Sequence, residues 1–590
     1  VNKIEWLEWS PEAFEKAKKE DKLVLLDIGA AWCHWCHVMD EECYGNSEII
    51  RVVNESYVPV RVETDKRPDI NDRYNQGGWP STVLLSHDGF VVHGATYLPP
   101  PALKELLKQA KDWYDQSKKR ISEAAKQMGD EAARKPSKGA PEPHMLTDLT
   151  DEIVEHMMQN ADRRHGGFGN GAKFPQAGAV SLALAYFYFK ADTQMLEFIE
   201  KTLQNMSEGL LDKEEGGIFR YSVSPEWKEP HYEKNLNVNA ECVLNYLDAY
   251  RVTNKKQYAD IAEKIIAYVR NVLADPQGGF YGSQDADIFD EDSLQIIMEG
   301  EAYYKLPAKE RQKYGAPAID KTVYVNSSAL MISALFEAYH VLENEEYRKA
   351  SLKSLHRLND CVDNVKGACH YLQNGQKGWP GFLIDTVALA RANLDAYETL
   401  ADTDYLENAV RLMEIAGERF AAPDGGFYDA VADEKMPSAT RMRHKPFNDN
   451  VLAVEVLGRL YNYTTDSAFL MKAASTLAAF EGHVKDMLSK GLGYFAAGYA
   501  LATKYASDGS TKVTIVGPAG DEQSKRLLHE AKRLYRPAKI VQLIDPEKDK
   551  ALLESMNFPA LPAPVAHICT ADGCTPPVKD VEEMLKVLVS

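Results

Sequence analysis

Near the start of the chain the apolar positions fall into short runs, and further on they form long helical stripes. Residues 11–19 have helical spacing, and 23–28 form an unbroken apolar run that ends at Gly29, which predicts a buried strand. Helical spacing resumes behind a group of cysteines and continues to about Val53. Strands are predicted at 57–62 and 82–85, and a third after Asp88-Gly89, a hairpin turn signal. A helix over 101–128 closes the segment. This order predicts an α/β layer domain over residues 1–128. Residues 129–144 turn to Lys, Ala, Pro and Gly and read as a linker.

From 145 to 505 the period is helical throughout, broken by six glycine-aromatic signals. They begin at Gly166, Gly216, Gly278, Gly367, Gly425 and Gly491. Each interval has room for two helices and their connections, so six units predict a closed barrel of six helical hairpins, (α/α)6. The longest interval holds an irregular insertion over about 284–322. Residues 506–590 alternate again, with strands expected at 513–516, 540–544 and 566–569 and helices at 522–534 and at the end. They make a small α/β segment, so the fold class is multidomain, α/β plus all-α.

The chain has 590 residues, 68 Lys plus Arg against 88 Asp plus Glu, and a formal charge of −20. That charge repels phosphate backbones, and no basic stripe with interleaved aromatics offsets it, so nucleic acid is not the expected partner. No run of 18 apolar residues predicts a membrane span. No signal peptide is evident, which suits a cytoplasmic protein, or an exported one whose leader has been removed. Eight cysteines are too few for a disulfide-stapled scaffold, yet Cys33, Cys36 and Cys43 lie within eleven residues of one another. Chemistry is therefore expected at one place.

That place is Trp32-Cys33-His34-Trp35-Cys36-His37, behind a strand and at the start of a helix. A thiolate at a helix N-terminus is stabilised by unpaired N–H groups and the helix dipole, so Cys33 is the expected nucleophile. Cys36, one turn on, would resolve the mixed disulfide. A protonated His34 would favour the thiolate further and make the couple more oxidising. Trp32, Trp35 and His37 flank the pair. The spelling also fits c-type haem attachment at Cys33 and Cys36 with His37 as axial ligand, or zinc held by Cys33, Cys36, His37 and Cys43. Plain packing of the thiols is the bland alternative, and Cys43 is expected to be buried rather than reactive. The α/β context favours a thioredoxin-like domain with neither metal nor cofactor. Pro80, just before a strand, is expected to carry a cis peptide bond beside the cysteines.

In the helical region, Lys173, Arg220, Tyr221, His231, Glu233, Asp285 and Asp287 bunch at hairpin turns with aromatic neighbours. They form a candidate barrel pocket in which rings and carboxylates would hold a sugar, and carboxylates would serve as acid and base. The alternative is that they pack the hairpin ends.

These residues together carry a family resemblance over nearly the whole chain. Cys33-His34-Trp35-Cys36-His37-Val38-Met39, Arg67-Pro68-Asp69, Gly77-Gly78-Trp79-Pro80, Gly167-Phe168-Gly169 with Lys173-Phe174-Pro175, Arg220-Tyr221-Ser222, Pro230-His231-Tyr232-Glu233-Lys234 and Asp285-Ala286-Asp287 occur in the family's order. The chain resembles the thioredoxin-domain proteins grouped with YyaL and spermatogenesis-associated protein 20. The resemblance implies a thioredoxin-like domain joined to a barrel similar to N-acylglucosamine 2-epimerases and six-hairpin glycosidases. The chain departs from the family after Lys234, where Asn235-Leu236-Asn237-Val238 replaces a stretch carrying a carboxylate. The extended segment before the first strand is missing, and the chain is several residues short between Asp69 and Gly77. The expectation is a thiol-disulfide oxidoreductase with a thiol or disulfide protein partner, on a barrel that binds a small polar or carbohydrate-like ligand. A sugar isomerase, epimerase or glycoside hydrolase-like barrel with a regulatory thioredoxin-like domain is the first alternative, and a non-catalytic binding scaffold the second.

Overall fold

A computed structural model of the chain describes residues 3–134, 148–293, 295–441, 443–507, 509–556 and 564–589. The chain forms two compact units, neither of them contiguous in sequence. The first comprises Val1–Ser137, Ser283–Asp320 and Ala430–His444; the second comprises the rest.

The first unit runs α1 (Pro11–Glu20), β1 (Leu23–Gly29), α2 (His34–Met39), α3 (Ser47–Ser56), β2 (Tyr57–Glu63), α4 (Pro68–Tyr74), β3 (Ser81–Leu85), β4 (Val91–Ala95) and α5 (Pro100–Arg134). α5 runs through 129–134, where a linker was expected; 135–144 lie outside the described residues. The sheet order is β2-β1-β3-β4, with β1 parallel to β2 and antiparallel to β3, and β3 antiparallel to β4. β1 is an unbroken apolar run because both of its faces are covered. Leu23 and Leu25 face a core with Met39, Ile49, Val53, Leu103 and Leu107. Val24, Leu26 and Ile28 face Phe14, Val58, Val60, Val62 and, from the distant 430–444 stretch, Met436. In the same unit a small hairpin pairs Ile288–Asp290 with Gln295–Met298.

The second unit is built on twelve helices: α6 (Thr150–Gln159), α7 (Ala177–Lys190), α8 (Thr193–Leu210), α9 (Leu236–Thr253), α10 (Lys256–Tyr268), α11 (Val325–Leu342), α12 (Glu345–Asn359), α13 (Leu383–Leu400), α14 (Thr403–Phe420), α15 (Phe447–Thr464), α16 (Ser467–Ser489) and α17 (Ala497–Tyr505). α7, α9, α11, α13, α15 and α17 touch in that order, and α17 returns to α7, which closes an inner ring. α8, α10, α12, α14 and α16 each pack outside the inner helix they follow, and α6 packs on α17. This is the (α/α)6 barrel.

The two ends of the barrel are built differently. Outer helices return to inner ones through the glycine-aromatic turns, and all six turns use positive φ, Gly217 (φ 81°) among them. A Cβ on Gly217 would stand 2.5 Å from the Tyr268 ring, so close packing as well as φ requires glycine there. At the other end, inner helices pass to outer ones through two-residue connections. Ala191-Asp192, Asn254-Lys255, Glu343-Asn344, Ala401-Asp402 and Thr465-Asp466 each place a left-handed residue before the N-cap of the next helix.

The carboxy-terminal segment follows as β5 (Thr511–Val516), α18 (Glu522–Arg533), β6 (Lys539–Ile544), β7 (Val565–Thr570), β8 (Gly573–Cys574) and α19 (Val581–Val589). Its sheet order is β6-β5-β7-β8, with β5 parallel to β6, β5 antiparallel to β7, and β7 antiparallel to β8. That is the order and sense of the first unit's sheet, with a helix between the parallel strands and another at the end. The chain therefore carries the same small α/β topology twice. Among the described residues no helix is long and apolar enough to cross a membrane.

Candidate functional site

Cys33 is the N-cap of α2, and its Sγ accepts the Cys36 N–H at 3.3 Å. The helix runs on through a π-helical turn, Asp40–Tyr44, so the thiol sits at the head of a continuous helical stretch. Cys36 lies one turn along, buried with Ala30, Trp32, Cys33 and Trp79. Burial, then the hydrogen bond to Cys33, pushes the Cys36 thiol well above its usual range, so it stays protonated. The Trp79–Pro80 peptide bond is cis, as expected, and opens β3. Trp32 and Trp79 meet edge to face, with centroids 5.5 Å apart. Trp32 Nε1 donates to Asp65 at 2.7 Å, Trp79 Nε1 donates to Asn71 at 3.0 Å, and Trp35 is half-exposed beside Tyr97.

The two histidines of the motif find their partners far along the chain. His34 Nδ1 is 2.7 Å from Asp287 Oδ2, and His37 Nε2 is 2.8 Å from Asp285 Oδ2. Both carboxylates are buried and braced from behind: Asp285 Oδ1 accepts the Asp287 N–H at 3.1 Å, and Asp287 Oδ1 accepts the Gly300 N–H at 2.8 Å. The His37 ring stacks on Phe289 at 4.0 Å. Burial disfavours the His37 imidazolium, but Asp285, Asp287 and Asp40 outweigh it and raise its pKa.

Asp285 and Asp287, expected in the barrel pocket, are thus corrected to the cysteine motif. The insertion that carries them folds with the first unit, which a linear reading of a helical region does not reveal. The zinc set is not assembled either. Cys43 faces the Met39 core, its Sγ donates to Leu98 O at 3.2 Å, and burial pushes its thiol up to about 12. For a haem, His37 Nε2 faces Asp285 rather than an open side. His37, Asp285 and Asp287 do offer one ligand atom each within 4.8 Å of one another, a set a divalent cation can use. Here those atoms are engaged in the hydrogen bonds just described.

One acid at the site escaped the sequence reading. Asp27, on β1, is buried and bound by Arg61 Nε at 2.7 Å and by the Tyr44 hydroxyl at 3.2 Å. Burial raises its pKa despite Arg61, and its charge adds to the upward push on Cys36. A lone polar residue inside an apolar strand was the available signal.

The remaining pocket residues lie at the glycine-aromatic end of the barrel. Phe174, Tyr221 and His231 form a stack with successive centroids 4.5 Å apart, and the Arg220 guanidinium lies 4.8 Å from the Tyr221 centroid. Glu233 is fully buried, 3.1 Å from Arg220 Nη2 and 3.4 Å from His231 Nδ1. Burial opposes its ionisation, but Arg220 and His231 prevail and hold its pKa below the usual value. Lys173 stands apart, paired with Asp162 at 2.9 Å as a brace inside its turn.

The family model described as "Thioredox_DsbH: Protein of unknown function, DUF255" matches residues 1–133. Human spermatogenesis-associated protein 20 is 25% identical in an alignment covering 100% of this chain and 90% of that protein. The chain is thus similar along its whole length to spermatogenesis-associated protein 20, and its first 133 residues match the thioredoxin-domain model. An uncharacterized protein of Caenorhabditis elegans is 24% identical over 99% of this chain and 94% of its own length. Among solved structures, the crystal structure of a sugar epimerase from a ruminal bacterium has a TM-score of 0.45 at 14% identity, covering 56% of this chain and 86% of that one. A family 76 glycoside hydrolase (mannosidase) from Bacteroides thetaiotaomicron has a TM-score of 0.42 at 12% identity, covering 60% and 98%. The chain combines a thioredoxin-like domain with an (α/α)6 barrel.

Proposed function

We propose that the chain is a thiol-disulfide oxidoreductase in which Cys33 attacks a partner's disulfide and Cys36 resolves the mixed disulfide. The observation that carries this reading is the asymmetry of the two thiols. Both thiols are buried, but Cys33 caps the helix, whereas Cys36 lies one turn in and is held protonated by its surroundings. The packing of Trp79 on the two cysteines and the His34–Asp287 pair next to Cys33 support it. Cys33 is only 3% exposed, so the partner presents its disulfide on a slim, extended segment or as a small molecule. Attack forms the Cys33–partner bond and expels one partner thiolate. Cys36, on losing its proton, then displaces the second partner thiolate and leaves a Cys33–Cys36 disulfide.

In the same reading, the barrel end with Phe174, Tyr221, His231, Arg220 and Glu233 holds a small polar or carbohydrate-like ligand. Phe174 is exposed and Tyr221 and His231 are half-buried beside it, so the stacked rings offer a face to a ligand while buried Glu233 holds Arg220 and His231 in place. The deciding experiment is insulin reduction or dithiol oxidation by the full chain. Cys33→Ser should reduce turnover at least a hundredfold while leaving binding of sugars, measured by calorimetry, unchanged. Equal turnover in wild type and variant would overturn the redox reading.

A further inference from the structure

The carboxy-terminal segment repeats the strand order of the thioredoxin-like domain, but its chemistry is placed elsewhere. Where β1 leads into Cys33, β5 leads into Gly517-Pro518-Ala519-Gly520, and Asp521 caps α18 by accepting the Ser524 N–H at 2.9 Å. No thiol stands at that helix start. The segment's two cysteines lie instead on the β7–β8 hairpin, directly opposite each other in register and joined as the Cys569–Cys574 disulfide. We propose that this disulfide is a second exchange centre, an electron acceptor for a protein dithiol of the C-x-x-C class.

The disulfide is open to attack. Cys574 is exposed, as are Ala571, Asp572 and Gly573, whereas Cys569 is half-buried. Neither cysteine belongs to the segment's core of Val513, Ile515, Leu527, Val541, Leu543, Ala566, Ile568, Val578, Met584 and Leu588.

The fold does not need the bond. Beyond the cysteines the Thr575 N–H donates to Ile568 O at 2.9 Å, and Ala566 and Val578 exchange backbone hydrogen bonds at 2.8 and 2.9 Å. Val578 is buried, so breaking the disulfide frees only the tip of the hairpin. The entropy removed by a cross-link grows with the logarithm of the loop it closes, and a separation of 5 residues lies near the bottom of that scale. An exposed disulfide that adds little stability is of the labile, exchangeable kind.

The direction follows from the surroundings. The Thr570–Thr575 stretch has no basic residue and lies at no helix N-terminus, so Cys574 lacks the helix start that Cys33 has, while Lys512, opposite Cys569 in register, favours Cys569 as the leaving thiolate. The pair is a target for a nucleophile rather than a nucleophile itself. The partner's thiolate attacks Cys574 Sγ, the S–S bond breaks, and Cys569 leaves as a thiolate that takes up a proton. The partner's second thiol, on losing its proton, then attacks the partner's first sulfur, forming the partner's disulfide and expelling Cys574, which is protonated in turn. The partner dithiol is oxidised to a disulfide, and Cys569 and Cys574 receive the two electrons.

The test uses the full chain with reduced thioredoxin as the probe, differential alkylation and mass spectrometry. Cys569 and Cys574 should become thiols while the thermal midpoint stays unchanged. Thioredoxin lacking its second cysteine should be trapped on Cys574, and Cys574→Ser should abolish the adduct. The same conversion is expected in Cys33→Ser, which separates this inference from the proposed function. The inference is overturned if the disulfide survives in the folded chain under conditions that reduce an oxidised Cys33–Cys36 pair. It is equally overturned if only small thiols reduce it, if reduction requires denaturant, or if conversion is lost in Cys33→Ser.

Discussion

His34 lies between the two cysteines, and a neutral imidazole there would do little for a thiolate. The buried Asp287 carboxylate, 2.7 Å from its ring, is placed to pair with the imidazolium when it forms. Asp287→Asn removes that partner and should slow attack on a small-molecule disulfide by about tenfold, the equivalent of about 1.4 kcal/mol. Stopped-flow reduction of that disulfide measures this, and an unchanged rate would show that Asp287 only holds the loop. His37 makes a stability prediction. Its pKa is raised in the folded unit, so its contribution is fully present below its unfolded value of about 6.5 and is lost as pH rises through the folded pKa. The thermal midpoint should fall across that window, and His37→Gln should flatten the decline.

Among the elements, the inner helices show how closely the barrel ring is packed. Gly458, on α15, faces the last residue of α17, and a Cβ there would stand 2.4 Å from the Tyr505 carbonyl oxygen. Backbone cannot yield as a side-chain tip can, so Gly458→Ala should cost about 1–3 kcal/mol in chemical denaturation. The glycine-aromatic turns were legible from sequence because positive φ and close approach both call for glycine. The two-residue connections at the other end were not, because Ala191, Glu343, Ala401 and Thr465 adopt a left-handed conformation that their residue types do not advertise. There the helix packing imposes the turn.

Within the second unit as a whole, the carboxy-terminal segment is tied to the barrel by buried charge. Lys532, near the end of α18, reaches Glu398 on α13 at 2.5 Å and Glu337 on α11 at 3.1 Å. Arg251 on α9 binds Glu337 at 3.0 Å, and Arg459 on α15 binds Asp395 at 2.8 Å. The network lies beside a cavity of about 360 Å³ lined by residues of all six inner helices and the carboxy-terminal segment. Burial works against the Lys532 charge, but Glu337 and Glu398 keep it protonated. Lys532→Met removes one partner and strands carboxylates, so a loss of about 3–5 kcal/mol is expected, with faster proteolysis between α17 and β5 as a second readout. An unchanged denaturation midpoint would mean that water already satisfies these groups.

The sequence alone determined most of the elements and their types, because hydrophobic period, glycine turns and the cysteine spacing are local properties of the chain. It therefore determined the thioredoxin-like domain, the count of six hairpins and the Cys33/Cys36 pair. Tertiary structure decided what those residues face. Asp285 and Asp287 belong with His37 and His34 across some 250 positions, and Met436 belongs with a core nearly 400 residues before it, because non-local contacts depend on how the chain returns on itself. The opposition of Cys569 and Cys574 was equally hidden. It depends on strand register, which the partner strands set and the residues themselves do not spell out.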